Sequence, residues 1–149
     1  MSKYGPIVIA CIFTWIGFVC AISFMEAWLK FRAPGMSIPL GLGVGRLVFG
    51  ALNKVEWVFT LVILGCILAD GTWRLATSLF LPGLLAVLLL QTFWLLPALD
   101  IRAEAHISGT PPGPSNLHFY YVGMELVKVA ALVTYGILAF RQLSSDGSA

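Results

Sequence analysis

Four long apolar runs divide this chain, and each approaches or exceeds the roughly 20 residues that one helical crossing of a bilayer requires. Of the 149 residues, 59% are hydrophobic and 11% are charged, whereas a soluble domain carries about 25% charged residues. The four runs use up most of the length and leave no room for a second domain. The sequence therefore predicts an all-α membrane protein with one domain, residues 1–149.

The predicted helices cover about residues 7–29, 43–69, 76–99 and 117–140. Consecutive crossings give an up-down-up-down four-helix transmembrane bundle with both termini on one side. Most of the basic side chains lie toward the first and third loops, namely Lys30, Arg32, Arg46, Lys54 and Arg102. By the positive-inside rule we expect these loops in the cytoplasm. We expect a multi-pass protein of the bacterial inner (cytoplasmic) membrane.

Composition also argues against several other classes of function. The net charge of +2 and the lack of a basic run do not indicate nucleic-acid binding. Cys11, Cys20 and Cys66 lie in apolar runs without a CxxC pair, so we interpret them as small buried hydrophobes. The first run is too long for a signal-peptide core and lacks a cleavage site, which favours a retained membrane anchor.

Ionisable and polar residues interrupt the apolar runs at helical spacing. In a bilayer such groups are costly, so they are candidates for a functional site. We expect them to line one polar pocket, open toward the side of the first and third loops, formed by Glu26, Arg46, Asn53, Glu56, His118, Tyr121, Glu125 and Lys128. Lys128 is the deepest charge and needs a partner, which Glu125, Glu56 or Glu26 could supply. Alternatively, these groups form interhelical bonds that fix helix register and nothing else.

The pattern does not indicate chemistry at a metal or a nucleophile. The only histidines, His106 and His118, border the predicted long loop, and the spacing of Glu104 and His106 does not match the Glu-x-x-His pairs of metal-binding bundles. No nucleophile adjoins a base. We predict no catalytic residue, no metal ligand and no identifiable cofactor.

The expected function is that of a non-enzymatic membrane protein, acting as a ligand-binding, transport-related or accessory subunit. Its partners would be the lipid bilayer, a small polar or amphipathic ligand, and further copies of itself or a larger membrane complex. A structural subunit of a respiratory or photosynthetic complex is an alternative in which the pocket has no ligand.

A local motif offers a second alternative. The pattern Arg46-x6-Asn53-x2-Glu56 resembles that of the membrane-associated proteins in eicosanoid and glutathione metabolism, which are four-helix proteins of about this length. The resemblance implies a glutathione-dependent enzyme in which Arg46, Asn53 and Glu56 contact glutathione. Tyr120 or Tyr121 would then be the hydroxyl donor. The long Gly/Pro loop after the third run departs from that family.

Over most of its length the chain resembles another family, the four-helix membrane proteins catalogued as a domain of unknown function (number 4149), which include the animal cisplatin-resistance-associated protein. The motifs that carry this resemblance are Thr14-Trp-Ile-Gly-Phe18 with Phe24, Gly41-Leu-Gly-Val-Gly-Arg-Leu-Val-Phe49, Pro97-Ala-Leu-Asp-Ile-Arg102 and His118-Phe-Tyr-Tyr-Val122. The family's proline late in the first helix is replaced by Glu26-Ala-Trp. The resemblance implies a four-helix transmembrane bundle and no established reaction.

Overall fold

The computed structural model describes the backbone of residues 3–71, 75–110 and 112–146, and their side chains except at 75–79 and 146. The described residues form four long helices and no strand, and each helix is long and apolar enough to cross a membrane. The prediction of an all-α, four-helix protein is therefore confirmed.

The first helix, α1 (Gly5–Arg32), departs from α-helical geometry in two segments. It contains a π-helical segment at Cys20–Glu26 and finishes in a 3₁₀ turn at Lys30–Arg32. Ala33 is extended, and Gly35 has a φ of +79°. The helix therefore ends close to the predicted stop at Ala33-Pro-Gly35, because proline and a left-handed glycine do not continue a helix.

The second helix, α2 (Ile38–Asp70), begins earlier than the predicted start near Gly43. The Ser37 hydroxyl accepts a hydrogen bond from the backbone N–H of Leu40 at 3.4 Å, and Pro39 lies in the first turn. Both features stabilise a helix start. The glycine-rich stretch is therefore helical, and Gly41 packs so closely that a Cβ there would clash with the Phe31 ring. The helix ends at Gly71, whose φ is +62°.

The third helix, α3, passes through Leu75–Leu90, a π-helical segment at Gln91–Leu95, and Leu96–Ile107. It continues past the predicted end at residue 99, so Asp100, Glu104 and His106 lie on a helix and not in a loop. Pro97 falls in the first turn after the π-helical segment. A proline lacks an N–H and is tolerated at such a position, so it does not end the helix.

The fourth helix, α4 (Leu117–Asp146), runs beyond the predicted end at residue 140. It packs closely on α1, where a Cβ at Gly136 would lie 3.1 Å from both Ile12 and Phe13. Buried apolar side chains from all four helices form the core, including Ile12, Val19, Leu52, Leu84 and Leu132. Many large apolar side chains point outward, such as Leu47, Phe93 and Phe119, as expected for a surface in contact with lipid.

The up-down-up-down order stays a prediction, and two contacts have the geometry that it requires. The backbone N–H of Lys3, before α1, donates to Asp70 at the end of α2 at 3.2 Å. Arg46, early in α2, bonds to Asp100, late in α3. Each contact joins the opposite ends of two consecutive helices, as in antiparallel neighbours.

Candidate functional site

A buried cluster of polar side chains lies between the helices, and every helix contributes to it. We call it the central cluster; its members are Trp15 and Ser23 of α1, Glu56 of α2, Gln91 of α3, and Tyr121, Glu125 and Lys128 of α4. All are buried, so the acids and the amine face one another and not lipid. The ionisable side chains face the interior because each one exposed to hydrocarbon would cost about 3 kcal/mol or more.

Lys128 is the centre of this cluster. Its Nζ donates to Glu56 Oε1 across the bundle and to Glu125 Oε1, one turn away, at 3.0 Å. The side chains of Lys128 and Glu125 are 0% exposed and that of Glu56 is 2% exposed. The prediction that Lys128 pairs with Glu125 or Glu56 is confirmed, whereas Glu26 bonds to Lys30 at 3.2 Å.

Two neutral donors, one from α1 and one from α3, bind the carboxylates of the cluster. Trp15 Nε1 donates to Glu56 Oε1 at 2.9 Å, and Gln91 Nε2 donates to Glu125 Oε1 at 2.7 Å. The sequence interpretation missed both residues. Gln91 could have been identified, because Gln91 and Thr92 form a polar pair inside the third apolar run.

Three buried polar atoms of the cluster have no hydrogen-bond partner among the residues that the structure describes: Ser23 Oγ, Gln91 Oε1 and Glu125 Oε2. The Tyr121 hydroxyl lies close to Ser23 and Glu125, although the two hydroxyls do not reach hydrogen-bonding geometry. The Tyr121 ring packs against Phe49, with the ring centroids 5.0 Å apart. Buried polar atoms are normally hydrogen-bonded, and leaving them without a partner is unfavourable. The part of the cluster around these three atoms therefore has unused hydrogen-bonding capacity.

Asn53 belongs to a neighbouring group organised by Thr92. The Thr92 hydroxyl accepts from Asn53 Nδ2 and from Trp57 Nε1, each at 3.0 Å. The same hydroxyl lies 2.7 Å from the carbonyl oxygen of Leu88. These bonds join α2 to α3 and leave the Asn53 side chain almost fully buried.

Nearer the end where α1 stops and α2 starts, the bundle contains a cavity of about 430 Å³. Its wall is largely apolar, with Phe31, Phe49 and Leu96, and it includes the polar side chains of Lys30, Arg46 and His118. Thr92 also lines it. Arg46 and Glu56 are about 15 Å apart along α2 at 1.5 Å per residue, so the cavity and the central cluster occupy different depths.

The charges at the cavity are paired. Arg46 bonds to Asp100 and to Glu104 of α3. Lys30 Nζ bonds to Glu26, and it also lies 5.6 Å and 5.1 Å from the ring centroids of Phe31 and Phe49. Asp100 and Glu104 were not among the predicted pocket residues, and Glu104 was expected in the loop after the third helix.

The structure thus divides the predicted pocket residues into two groups. Glu56, Tyr121, Glu125 and Lys128 belong to the central cluster, while Arg46 and His118 line the cavity. Asn53 bonds to Thr92, and Glu26 bonds to Lys30; Thr92 and Lys30 both line the cavity. Spacing along each helix predicted which residues face inward, but not that they occupy two levels.

Among the residues that the structure describes, no group of three His, Cys, Asp or Glu side chains is arranged to hold a metal ion. In the central cluster, the position between the two carboxylates is taken by the Lys128 ammonium. His106 Nδ1 lies 2.8 Å from the carbonyl oxygen of Arg102 on its own helix.

Comparison with known proteins gives no match: neither a family model, nor a curated protein, nor a solved structure matches this chain.

Proposed function

We propose that this chain is a non-enzymatic, multi-pass membrane protein that binds a small amphipathic molecule in the cavity between α1, α2 and α3. In this role it is a ligand-binding, transport-related or accessory subunit of the bacterial inner membrane. The observation that carries the proposal is a largely apolar cavity of about 430 Å³ whose wall includes a few polar groups, which is the usual form of a small-molecule site.

The lining indicates the chemistry of the ligand. Phe31, Phe49 and Leu96 offer an apolar surface to a hydrocarbon body. His118 offers a hydrogen bond to a polar end, whereas the Thr92 hydroxyl is already bonded to Asn53, Trp57 and Leu88. Because Lys30 and Arg46 already have carboxylate partners, an uncharged polar head group fits better than a strongly anionic one.

A photoreactive long-chain alcohol, with a diazirine in its alkyl chain, tests this proposal in bilayer nanodiscs. We expect cross-links on the lining residues Phe31, Phe49 and Leu96, identified by mass spectrometry of the digested protein. Native mass spectrometry of the gently solubilised protein, run in parallel, should detect a bound amphipathic molecule.

Two glycines provide a matched pair of variants. Gly50 lines the cavity, and a Cβ there meets no atom within 4 Å, so Gly50→Leu should fill part of the cavity and reduce these cross-links several-fold. Gly17 also has open space around its Cβ but does not line the cavity, so Gly17→Leu should leave the cross-links unchanged. Equal labelling of the cavity in all three proteins would count against the proposal.

The glutathione-dependent alternative has less support. Of its three expected contacts, only Arg46 lines the cavity, while Asn53 bonds to Thr92 and Glu56 bonds to Trp15 and Lys128. Saturable glutathione binding that is lost in Asn53→Ala would favour it.

The resemblance to the four-helix domain of unknown function (number 4149) is retained as a proposal of kinship. Co-purification with a stable partner would favour a structural subunit of a larger complex.

A further inference from the structure

The charges of the central cluster do not balance. Two carboxylates, Glu56 and Glu125, face one ammonium, Lys128, and all three are at most 2% exposed. The other lysine and arginine near the bundle interior, Lys30 and Arg46, are paired with acids at the cavity. With both glutamates ionised, the cluster therefore holds one excess negative charge away from water, which is strongly unfavourable.

The two carboxylates have different surroundings. Glu56 Oε1 accepts hydrogen bonds from Trp15 Nε1 and from Lys128. Glu125 Oε1 accepts from Gln91 Nε2 and Lys128, but Glu125 Oε2 has no partner among the described residues. An ionised carboxylate can only accept hydrogen bonds, and the nearby unpartnered Gln91 Oε1 is also only an acceptor.

We propose that the central cluster is a proton-binding site, in which Glu125 holds one proton on Oε2 beside an ionised Glu56–Lys128 pair. The proton removes the excess charge and turns an unpartnered acceptor into a donor for Gln91 Oε1 or Ser23 Oγ. Protonation adds one proton from water to the carboxylate and needs no other reactant.

The groups around the Glu56–Lys128–Glu125 triad come from all four helices. Among the described residues, α1 contributes Trp15, which bonds to Glu56, and the buried Ser23; α2 contributes Glu56; and α3 contributes Gln91, which bonds to Glu125. On α4 itself, Lys128 and the Tyr121 hydroxyl lie close to Glu125. Glu56, Lys128 and Tyr121 are the titratable members, and a phenol is uncharged at neutral pH. Glu56 and Lys128 thus determine the charge that the proton must balance.

The site is also close to the cavity. Gln91, which bonds to Glu125, is followed in the chain by Thr92, which lines the cavity. We expect the proposed proton to exchange with solvent at this junction between the cluster and the cavity.

Infrared spectroscopy of the full chain in a maltoside detergent, which has no carbonyl group, tests the proposal, because a protonated carboxyl group has a C=O band that an ionised one lacks. At neutral pH the wild-type protein should show one such band, and it should shift on transfer to D₂O. The Glu125→Gln protein should lose the band. The Glu56→Gln protein should lose it too, because one carboxylate then faces one ammonium. In Lys128→Met a second protonated carboxyl should appear, so the band should grow about two-fold.

Glu26→Gln is the matched control, because Glu26 is outside the cluster and this variant should keep the wild-type band. The wild-type spectrum tests the proposal even where a cluster variant does not fold. Spectra in sodium chloride and in choline chloride should be the same. Absence of the wild-type band at neutral pH would overturn the proposal. A band that appears only when sodium is removed would also overturn it, since a monovalent cation would then balance the charge.

Discussion

Lys128 of α4 and Glu56 of α2 are hydrogen-bonded inside the bundle although 72 positions separate them in the chain. Their side chains are 0% and 2% exposed. Together with Glu125, they connect two helices through charged groups that water does not reach. The energetic role of this contact can be measured separately from any role in binding.

Replacing Lys128 with methionine should destabilise the protein strongly. The substitution preserves much of the side-chain volume but leaves Glu56 and Glu125 without a cation. Removal of one partner from a buried ion pair costs about 3–5 kcal/mol, and protonation of both acids limits that loss. Detergent-driven unfolding in mixed micelles measures the change. Lys54→Met is the control, since Lys54 is exposed, and a similar loss of stability in both variants would contradict the prediction.

Trp15→Phe should isolate the contribution of the indole N–H. The ring remains to pack in the core, but the 2.9 Å hydrogen bond to Glu56 is lost. Hydrogen bonds between helices in membranes contribute about 0.6–2 kcal/mol, so we expect a loss of that size in the free energy of unfolding. Trp94 is 48% exposed, and Trp94→Phe should change it much less. Equal effects would mean that the hydrogen bond contributes nothing beyond packing.

Gly136→Leu should weaken the packing of α1 against α4. A Cβ at Gly136 already lies 3.1 Å from Ile12 and Phe13, so a larger side chain forces the helices apart. Overpacking of this kind costs about 1–3 kcal/mol. Gly123, on the same helix, has no atom within 4 Å of its Cβ. Comparing the unfolding of Gly136→Leu with that of Gly123→Leu cancels the change in helix propensity, and only the first variant should be destabilised.

Arg46→Gln should have a smaller effect on unfolding than Lys128→Met, although Arg46 bonds to two carboxylates. Its partners, Asp100 and Glu104, are 50% and 61% exposed, so water and salt screen the attraction. The difference in stability between wild-type protein and Arg46→Gln should shrink as salt is added. A difference that is large and insensitive to salt would show that these ion pairs are shielded from solvent.

The ends of the helices illustrate where sequence reasoning was limited. It predicted α1 closely, because Ala33-Pro-Gly35 is a strong stop signal. It started α2 too late, because glycines were read as a loop although Ser37 and Pro39 provide a helix start. It ended α3 too early, at residue 99, because residues 100–116 were interpreted as a loop, whereas the helix continues to Ile107.

The candidate site shows a similar division. Helical spacing identified Glu56, Glu125 and Lys128 as facing inward, and the structure places them together. It did not identify Trp15, because a tryptophan in an apolar run is interpreted as an apolar residue. The hydrogen bond from its indole N–H to Glu56 depends on the packing of α1 against α2. It also placed Arg46 with Glu56, because residues on the same face of a helix were assumed to meet at one depth.

The length of the apolar runs and the cost of a charge in hydrocarbon are enough to predict the number of helices and the charged residues that must avoid lipid. The pairing of each acid with a base, and the separation of the polar residues into a deep cluster and a cavity, are visible in the folded structure alone. Those choices depend on the rotation and axial position of each helix against its neighbours, which arise from side-chain packing between distant parts of the chain.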